Sequence, residues 1–365
     1  MPAEYEILIV GTSPSSEKGG ISSALEGYFQ GIKELNIAHC HISTHAGADG
    51  NSSMLKRWFY AGKQLKKEIS RVKSAGKQPI VWLHPGAWLS LFRKFSLGLI
   101  ARVLGAKVLI QIHSNSYLTY LNHPVLKYYA LLMISPAHRV IALTPWWQNK
   151  LREYTNKPIS VVPNAITQEL LSIANSTTKR QEESVDGHST INILTMSRLV
   201  KGKGFESVIR TMQKLPEHFH LNIAGDGELK AALESLVNEN NLSDRVHFLG
   251  WISGQDKIQH MKNADVFCLP SSNDSFGMVY IEAMSCRLPI VSLDFGPVNH
   301  IVKHEVSGIV SPSLLERDLA NAITQAIDKK ETITKEGLKQ VIEQYSPAIV
   351  ATQLQQTIEE CCNEH

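Results

Sequence analysis

The sequence predicts an α/β protein built from two doubly wound units in tandem. Three observations carry this. The chain has 365 residues, about two domains' worth. Short β-branched runs alternate with helical patterns from end to end, the signature of parallel sheets covered by helices on both faces. The runs also fall six and six. The first set is Tyr5–Val10, Ala38–Ser43, Pro79–Leu83, Lys107–Ile112, Arg139–Leu143 and Ile159–Val162. The second is Ile191–Met196, His220–Ala224, Val246–Leu249, Val266–Leu269, Pro289–Leu293 and Gly308–Val310.

These runs set the expected organisation: residues 1–170 as one domain and 191–345 as another, facing each other across a cleft. Between them, Asn175–Thr190 (NSTTKRQEESVDGHST) holds one large apolar residue, Val185. Such a segment buries too little to offset its ordering entropy, so 171–190 reads as a linker. Ile349–Cys361 has amphipathic helical spacing, so residues 346–365 are expected as a helix able to pack back on the first domain.

Composition narrows the class. Apolar residues are 43% and charged residues 19%, ordinary for a globular protein and unlike disordered, collagen-like or disulfide-rich chains. The five cysteines, Cys40, Cys268, Cys286, Cys361 and Cys362, show no zinc or Cys-x-x-Cys spacing, and a reducing cytoplasm is expected. The acids preceding the first apolar run are the reverse of a secretory leader, and no stretch reaches the ~18–20 apolar residues that span a bilayer. Residues 1–175 carry 19 Lys and Arg against nine Asp and Glu, while the remainder carries 18 against 25. A basic first half is either a solvated surface or the mark of an anionic partner, such as a membrane face, a phosphate group or nucleic acid. The aromatic-basic pattern of a nucleic-acid module is absent.

In doubly wound sheets ligands bind beyond the carboxyl ends of the strands, so the residues after each strand are the candidates. After the first strand, GTSPSSEKGG ends in Gly19 and Gly20 at a helix start, where backbone amides can face an anion. It has neither P-loop nor Gly-x-Gly-x-x-Gly spacing, which removes support for an ATPase or a nicotinamide oxidoreductase. Two strands end in histidine, at His84 and His113, and chemistry alone does not choose between them.

The second half says more. SRLVKGKG places Arg198 and Lys203 in one glycine-containing turn before a helix, suited to a diphosphate. GDGE (Gly225–Glu228) is another tight turn, and VHFLGW, which includes Leu249, gives an apolar edge for a flat base. In DVFCLPSSNDSFGMVYIEAMSCRLPIV, Asp274 lies in a loop and Glu282 in the following helix. The amides of Ser275, Phe276 and Gly277 at that helix start can receive oxygen ligands. Glu282 sits among Ile281, Ala283 and Met284; a partly buried carboxylate there requires a partner, which ribose or sugar hydroxyls would supply.

Taken together, SRLVKGKG, GDGE, FLGW and DSFGMVYIEAM with its acid-x7-Glu spacing resemble the family-4 glycosyltransferases, retaining enzymes of the two-Rossmann GT-B architecture found in bacterial surface-polysaccharide assembly. The similarity is strong from Ile191 to Val310 and looser over the first half. It implies that Arg198 and Lys203 bind the donor diphosphate and Glu282 the nucleotide ribose. Asp274, beside the Phe276 and Gly277 amides, would contact donor-sugar hydroxyls, and Gly19 and Gly20 would lie near the phosphates and acceptor. His113, rather than His84, would approach the donor sugar, and Asn164 would mark the crossover between domains. Two positions depart from the pattern: Asp274 and His300 stand where the family usually has Glu. The expected donor is a nucleotide diphosphate sugar (UDP first, GDP next), with no metal and no cofactor. The expected acceptor is a saccharide or lipid-linked saccharide, approached at an anionic membrane face through Trp88–Leu104, an apolar stretch containing Arg93, Lys94 and Arg102. A GT-B epimerase or phosphorylase, or a non-catalytic sugar-nucleotide-binding protein, would share the fold.

Overall fold

The structure is a computed structural model that describes residues 4–12, 20–44, 54–176 and 190–364. The chain forms two compact units, Met1–Thr167 with Tyr345–His365, and Gln168–Gln344.

The first unit is built on β1 (Tyr5–Gly11), β2 (His39–Ser43), β3 (Gln78–Leu83), β4 (Lys107–Gln111), β5 (Arg139–Ala142) and β6 (Ile159–Val161). They pair in parallel in the order β2-β1-β3-β4-β5-β6. Its helices are α1 (Gly20–Glu34), α2 (Met54–Ser74), α3 (Leu89–Val103), α4 (Ser116–Asn122), α5 (Leu126–Met133) and α6 (Pro145–Arg152). All of β1 is buried, as a central strand covered on both faces must be. On α1, Leu25, Tyr28 and Ile32 recur at helical spacing and are buried against the sheet.

The second unit opens with α7 (Gln168–Asn175) and carries β7 (Ile191–Met196), β8 (Phe219–Ala224), β9 (Val246–Gly250), β10 (Val266–Leu269), β11 (Ile290–Leu293) and β12 (Ile309–Ser311). Their parallel order is β12-β11-β10-β7-β8-β9. Around them lie α8 (Phe205–Thr211), α9 (Lys230–Glu239), α10 (Gly254–Asn263), α11 (Met278–Ser285), α12 (Glu316–Asp328) and α13 (Lys330–Gln344). The last helix, α14 (Pro347–Asn363), belongs to the first unit, where Glu360 and Glu364 pair with Arg139 of β5.

Every strand lies within one residue of its expected position at each end. Two expectations need correction. Residues 171–175, expected in the linker, complete α7, which packs on α11 and α13; its apolar Leu170 and Ala174 are buried there. Residues 177–189 of that segment lie outside the described residues, as does Gly19. The expected membrane-facing cations of α3 also differ. Arg93 and Lys94 are buried, while Leu89, Phe92, Leu99, Ile100 and Val103 are exposed. Among the described residues, no helix is long and apolar enough to cross a membrane.

Candidate functional site

Strand order reverses at one place in each sheet: between β1 and β3 in the first unit, and between β7 and β10 in the second. A crevice opens beyond the carboxyl ends of the strands at such a switch point, and ligands bind there. Both lead directly to candidate residues.

In the second unit, β7 runs into the Ser197–Gly204 turn and β10 into the Pro270–Gly277 loop. The two are tied together by the Ser272 amide, which donates to Gly202 O at 2.9 Å. Across this junction Lys203 Nζ donates to Asp274 Oδ1 at 2.6 Å and to Asn273 O at 3.2 Å. Lys203 is buried, with 7% of its side chain exposed, and Asp274 half-buried. The second carboxylate oxygen, Asp274 Oδ2, is buried without a hydrogen-bond partner. An orphaned acceptor of this kind is an unmet interaction worth about 1–3 kcal/mol, and a ligand hydroxyl would satisfy it. Arg198, in the same turn as Lys203, is exposed, and no carboxylate among the described residues pairs with it.

The following turns hold their shape through glycine. Gly225, at the end of β8, has φ 149°, and a Cβ there would lie 1.9 Å from Ser197 O; its amide donates to Gly250 O at 2.7 Å. The close approach seats the GDGE turn against the Arg198 turn, where Leu199 N donates to Asp226 O at 2.9 Å. Leu249 on β9 is half-buried and Trp251 partly exposed just beyond it. Gly277 caps α11 in the left-handed conformation at φ 86°, with Tyr280 where a Cβ would stand. Ser275 is half-buried and Phe276 buried in this loop. Glu282, on α11, which is buried except at Val279, sits 2.5 Å from Lys257 Nζ of α10. The contact is an ion pair by distance, although its angles lie outside those of a hydrogen bond. His300, on the short Val298–His300 turn, is half-buried.

In the first unit the two strand-end histidines come together. His84 Nδ1 and His113 Nε2 are 2.8 Å apart, with ring centroids at 5.1 Å. Burial lowers the pKa of His113 to about 3. It drives His84 well below the usual imidazole range, helped by the charges of His113 and Lys94. Both are therefore neutral near pH 7. Gly20 begins α1 and is exposed. Asn164 accepts a hydrogen bond from Tyr28 Oη at 3.0 Å, within a buried network that also takes in Gln111.

The structure thus brings together Lys203 with Asp274, and His84 with His113. It adds Lys257, which no motif marks, and moves Lys94 from the membrane face expected of it into the interior. Lys257 of α10 reaches Glu282 of α11 through its long side chain, a contact without local signature. Lys94 reads as one more cation in an apolar helix, and only the fold turns it inward.

Comparisons with known proteins bear on the fold and on the family that the second half resembles. The family profile "Glycosyl transferases group 1" matches residues 176–344. An uncharacterised glycosyltransferase of Methanocaldococcus jannaschii is 35% identical over 159 residues, covering 42% of this chain and 41% of that protein. The chain spans less than two thirds of the length of the curated relatives it matches first. Among solved structures, the sucrose-phosphate synthase of Thermosynechococcus elongatus superposes with TM-score 0.76 at 20% identity, over 99% of this chain and all of that one. Anabaena HepE in complex with UDP and glucose superposes with TM-score 0.72 at 18% identity, over 97% and 99% of the respective chains. Residues 176–344 thus match the glycosyl transferases group 1 profile, in a chain with the GT-B fold of two Rossmann-like α/β units.

Proposed function

We propose that the protein is a retaining glycosyltransferase. It moves a sugar from a nucleotide diphosphate sugar, UDP-linked first and GDP-linked next, to a saccharide or lipid-linked saccharide acceptor. The observation that carries this reading is the Lys203–Asp274 pair at the β7/β10 switch point, with Asp274 Oδ2 buried and unpartnered beside it.

The chemistry follows from the charges. As the glycosidic bond breaks, negative charge grows on the departing diphosphate. Lys203 and the exposed Arg198 supply fixed positive charge at that place, a contribution of several kcal/mol in a water-poor site. Asp274 accepts hydroxyls of the donor sugar, and Glu282, held by Lys257, accepts those of the ribose. The half-buried Leu249 forms the apolar edge against which the base rests. His113, neutral at working pH, hydrogen-bonds to the sugar rather than carrying charge to it. These cations do the work that a divalent metal does elsewhere, so transfer proceeds without one. The fold is shared by epimerases, phosphorylases and binding proteins, which product analysis with retained or transferred sugar separates.

The setting that fits is surface-polysaccharide assembly at the cytoplasmic face of a membrane. Exposed apolar side chains on α2 (Phe59, Tyr60), α3 (Leu89, Phe92, Val103) and α5 (Tyr128, Leu132) support contact with an anionic bilayer, together with the exposed Lys63, Lys66 and Lys67 of α2.

A thermal-shift panel of UDP, GDP, ADP, TDP and CMP tests the donor class. A ligand at about 100 times its Kd adds ~2.7 kcal/mol to stability. The expected result is a rise in Tm with UDP, or with GDP in second place, that EDTA leaves unchanged. No shift with any nucleotide, or a shift that EDTA abolishes, contradicts the proposal.

A further inference from the structure

The switch point of the first unit also holds a lysine, but without the carboxylate that neutralises Lys203. Lys94 comes from α3 and is 2% exposed. Its ammonium donates to Thr44 Oγ1 at 2.5 Å. Thr44 follows β2 and has already committed its own proton, donating from Oγ1 to Gly11 O at 3.1 Å. No acidic side chain among the described residues pairs with Lys94. A buried ammonium held by one neutral oxygen lacks the counter-charge that burial ordinarily demands.

Two orphaned polar atoms accompany it. His84 Nε2, after β3, and Thr12 Oγ1, after β1, are both buried without hydrogen-bond partners. His84 packs against Gly11, whose missing Cβ leaves the ring's Cδ2 3.8 Å from where it would stand. His41 of β2 fixes the backbone beside Thr12, its Nε2 lying 3.1 Å from Thr12 O. At the ends of β1, β2 and β3, an ammonium brought in by α3, the His84 imidazole nitrogen and the Thr12 hydroxyl thus keep unused hydrogen-bonding capacity. The usual polarity of a ligand that satisfies all three is anionic, with several acceptor oxygens.

We propose that Lys94, His84 and Thr12 form a phosphate-binding site in the first unit, and that its occupant is a phosphate ester carried by the acceptor. The acceptor role rests on the transferase reading above; phosphate binding does not. When His113 Nε2–H donates to His84 Nδ1, the His84 Nε2–H is left to donate to the phosphate, so occupancy selects one tautomer of the pair. The Thr12 hydroxyl and the ammonium donate to the remaining oxygens.

The test is a titration of the whole chain in phosphate-free buffer, read by Tm and by the imidazole signals of His84 in 15N-histidine-labelled protein. The probes are inorganic phosphate, a short-chain prenyl phosphate in neutral micelles, and the micelles alone, with UDP as control. The expected result is a saturable Tm rise and a shifted His84 Nε2 signal with phosphate. Lys94→Met should weaken phosphate binding at least tenfold and leave UDP binding unchanged, whereas Arg198→Ala should do the reverse. Binding of both phosphate probes supports a site for the phosphate group itself, and binding of prenyl phosphate alone supports a site for its lipid ester. If neither probe moves the His84 signal of the unsubstituted protein, the proposal is overturned, whatever Lys94→Met does to folding. It is also overturned if phosphate binding survives Lys94→Met but is lost in Arg198→Ala, which would assign phosphate to the donor site. Failure with UDP alone would instead remove the donor assignment.

Discussion

At the residue scale, the chain handles its two buried lysines differently. Lys203 is neutralised by Asp274 at 2.6 Å, whereas among the described residues Lys94 has only a hydroxyl. Burial, reinforced by the charge of Arg93, lowers the pKa of Lys94 from 10.5 to about 7. The unfolded chain keeps this lysine protonated up to its ordinary pKa, while the folded chain sheds the proton above about pH 7. The unfolded state therefore binds more protons between these values, and the contribution of Lys94 to stability rises with pH across that window. With about 1.4 kcal/mol per pKa unit, the gain between pH 7 and pH 9 is ~2 kcal/mol. Urea denaturation of the unsubstituted protein and of Lys94→Met at both values reads this term. The expected difference between the two proteins changes by that amount, in favour of the lysine, as pH rises. A difference independent of pH would mean that the buried amine does not titrate in the window. Neighbouring His41 and His84 do not disturb the comparison, because burial lowers both below their usual values and they stay neutral across it.

At the element scale, α3 shows how a helix can be misread. Its sequence mixes apolar side chains with Arg93, Lys94 and Arg102, which suggests cations facing a membrane. In the structure the first two cations turn inward and the apolar residues turn out. Charge does not follow the helix's obvious polar face, for Lys94 points to Thr44 at the end of β2 beneath it. The surface beside α3 still carries a broad apolar patch, and large exposed patches mark contact sites. Sedimentation with liposomes containing anionic lipid should pellet the protein at low salt and less at high salt, since surface charge is screened within about 8–10 Å at physiological salt. Replacing Phe59, Leu89 and Tyr128 with Ser should abolish pelleting without lowering Tm, because all three are exposed. Absence of pelleting at low salt would remove the membrane contact. The helix α7 is the converse case. Composition hid it, because the polar run beginning at Asn175 dominated the window, while the short apolar face of Leu170 and Ala174 that α11 and α13 cover was too brief to register.

At the scale of the whole molecule, the two sheets share one logic: six parallel strands, one reversal of order, and polar groups gathered at the reversal. Much of this was legible. Runs such as Ile191–Met196 and Val266–Leu269 are β-branched or apolar and bounded by turns, so they mark strands without tertiary knowledge. The residues after them were legible for the same reason, because a parallel sheet fixes which end a loop occupies. Pairings between distant segments were not. Lys203 and Asp274 are 71 positions apart, and Lys257 reaches Glu282 across two helices; neither spacing has a local period. His84 and His113 presented themselves as alternatives, and the adjacency of β3 and β4 makes them a hydrogen-bonded couple.

The central claim is that Arg198 and Lys203 hold the diphosphate of an activated sugar. Calorimetric titration of UDP, with GDP alongside, into the unsubstituted protein and into Arg198→Ala and Lys203→Ala tests it most directly. The account predicts that each substitution weakens nucleotide binding at least tenfold, about 1.4 kcal/mol, with Tm kept within reach of the parent for the exposed Arg198. Nucleotide affinity unchanged in both variants would contradict it.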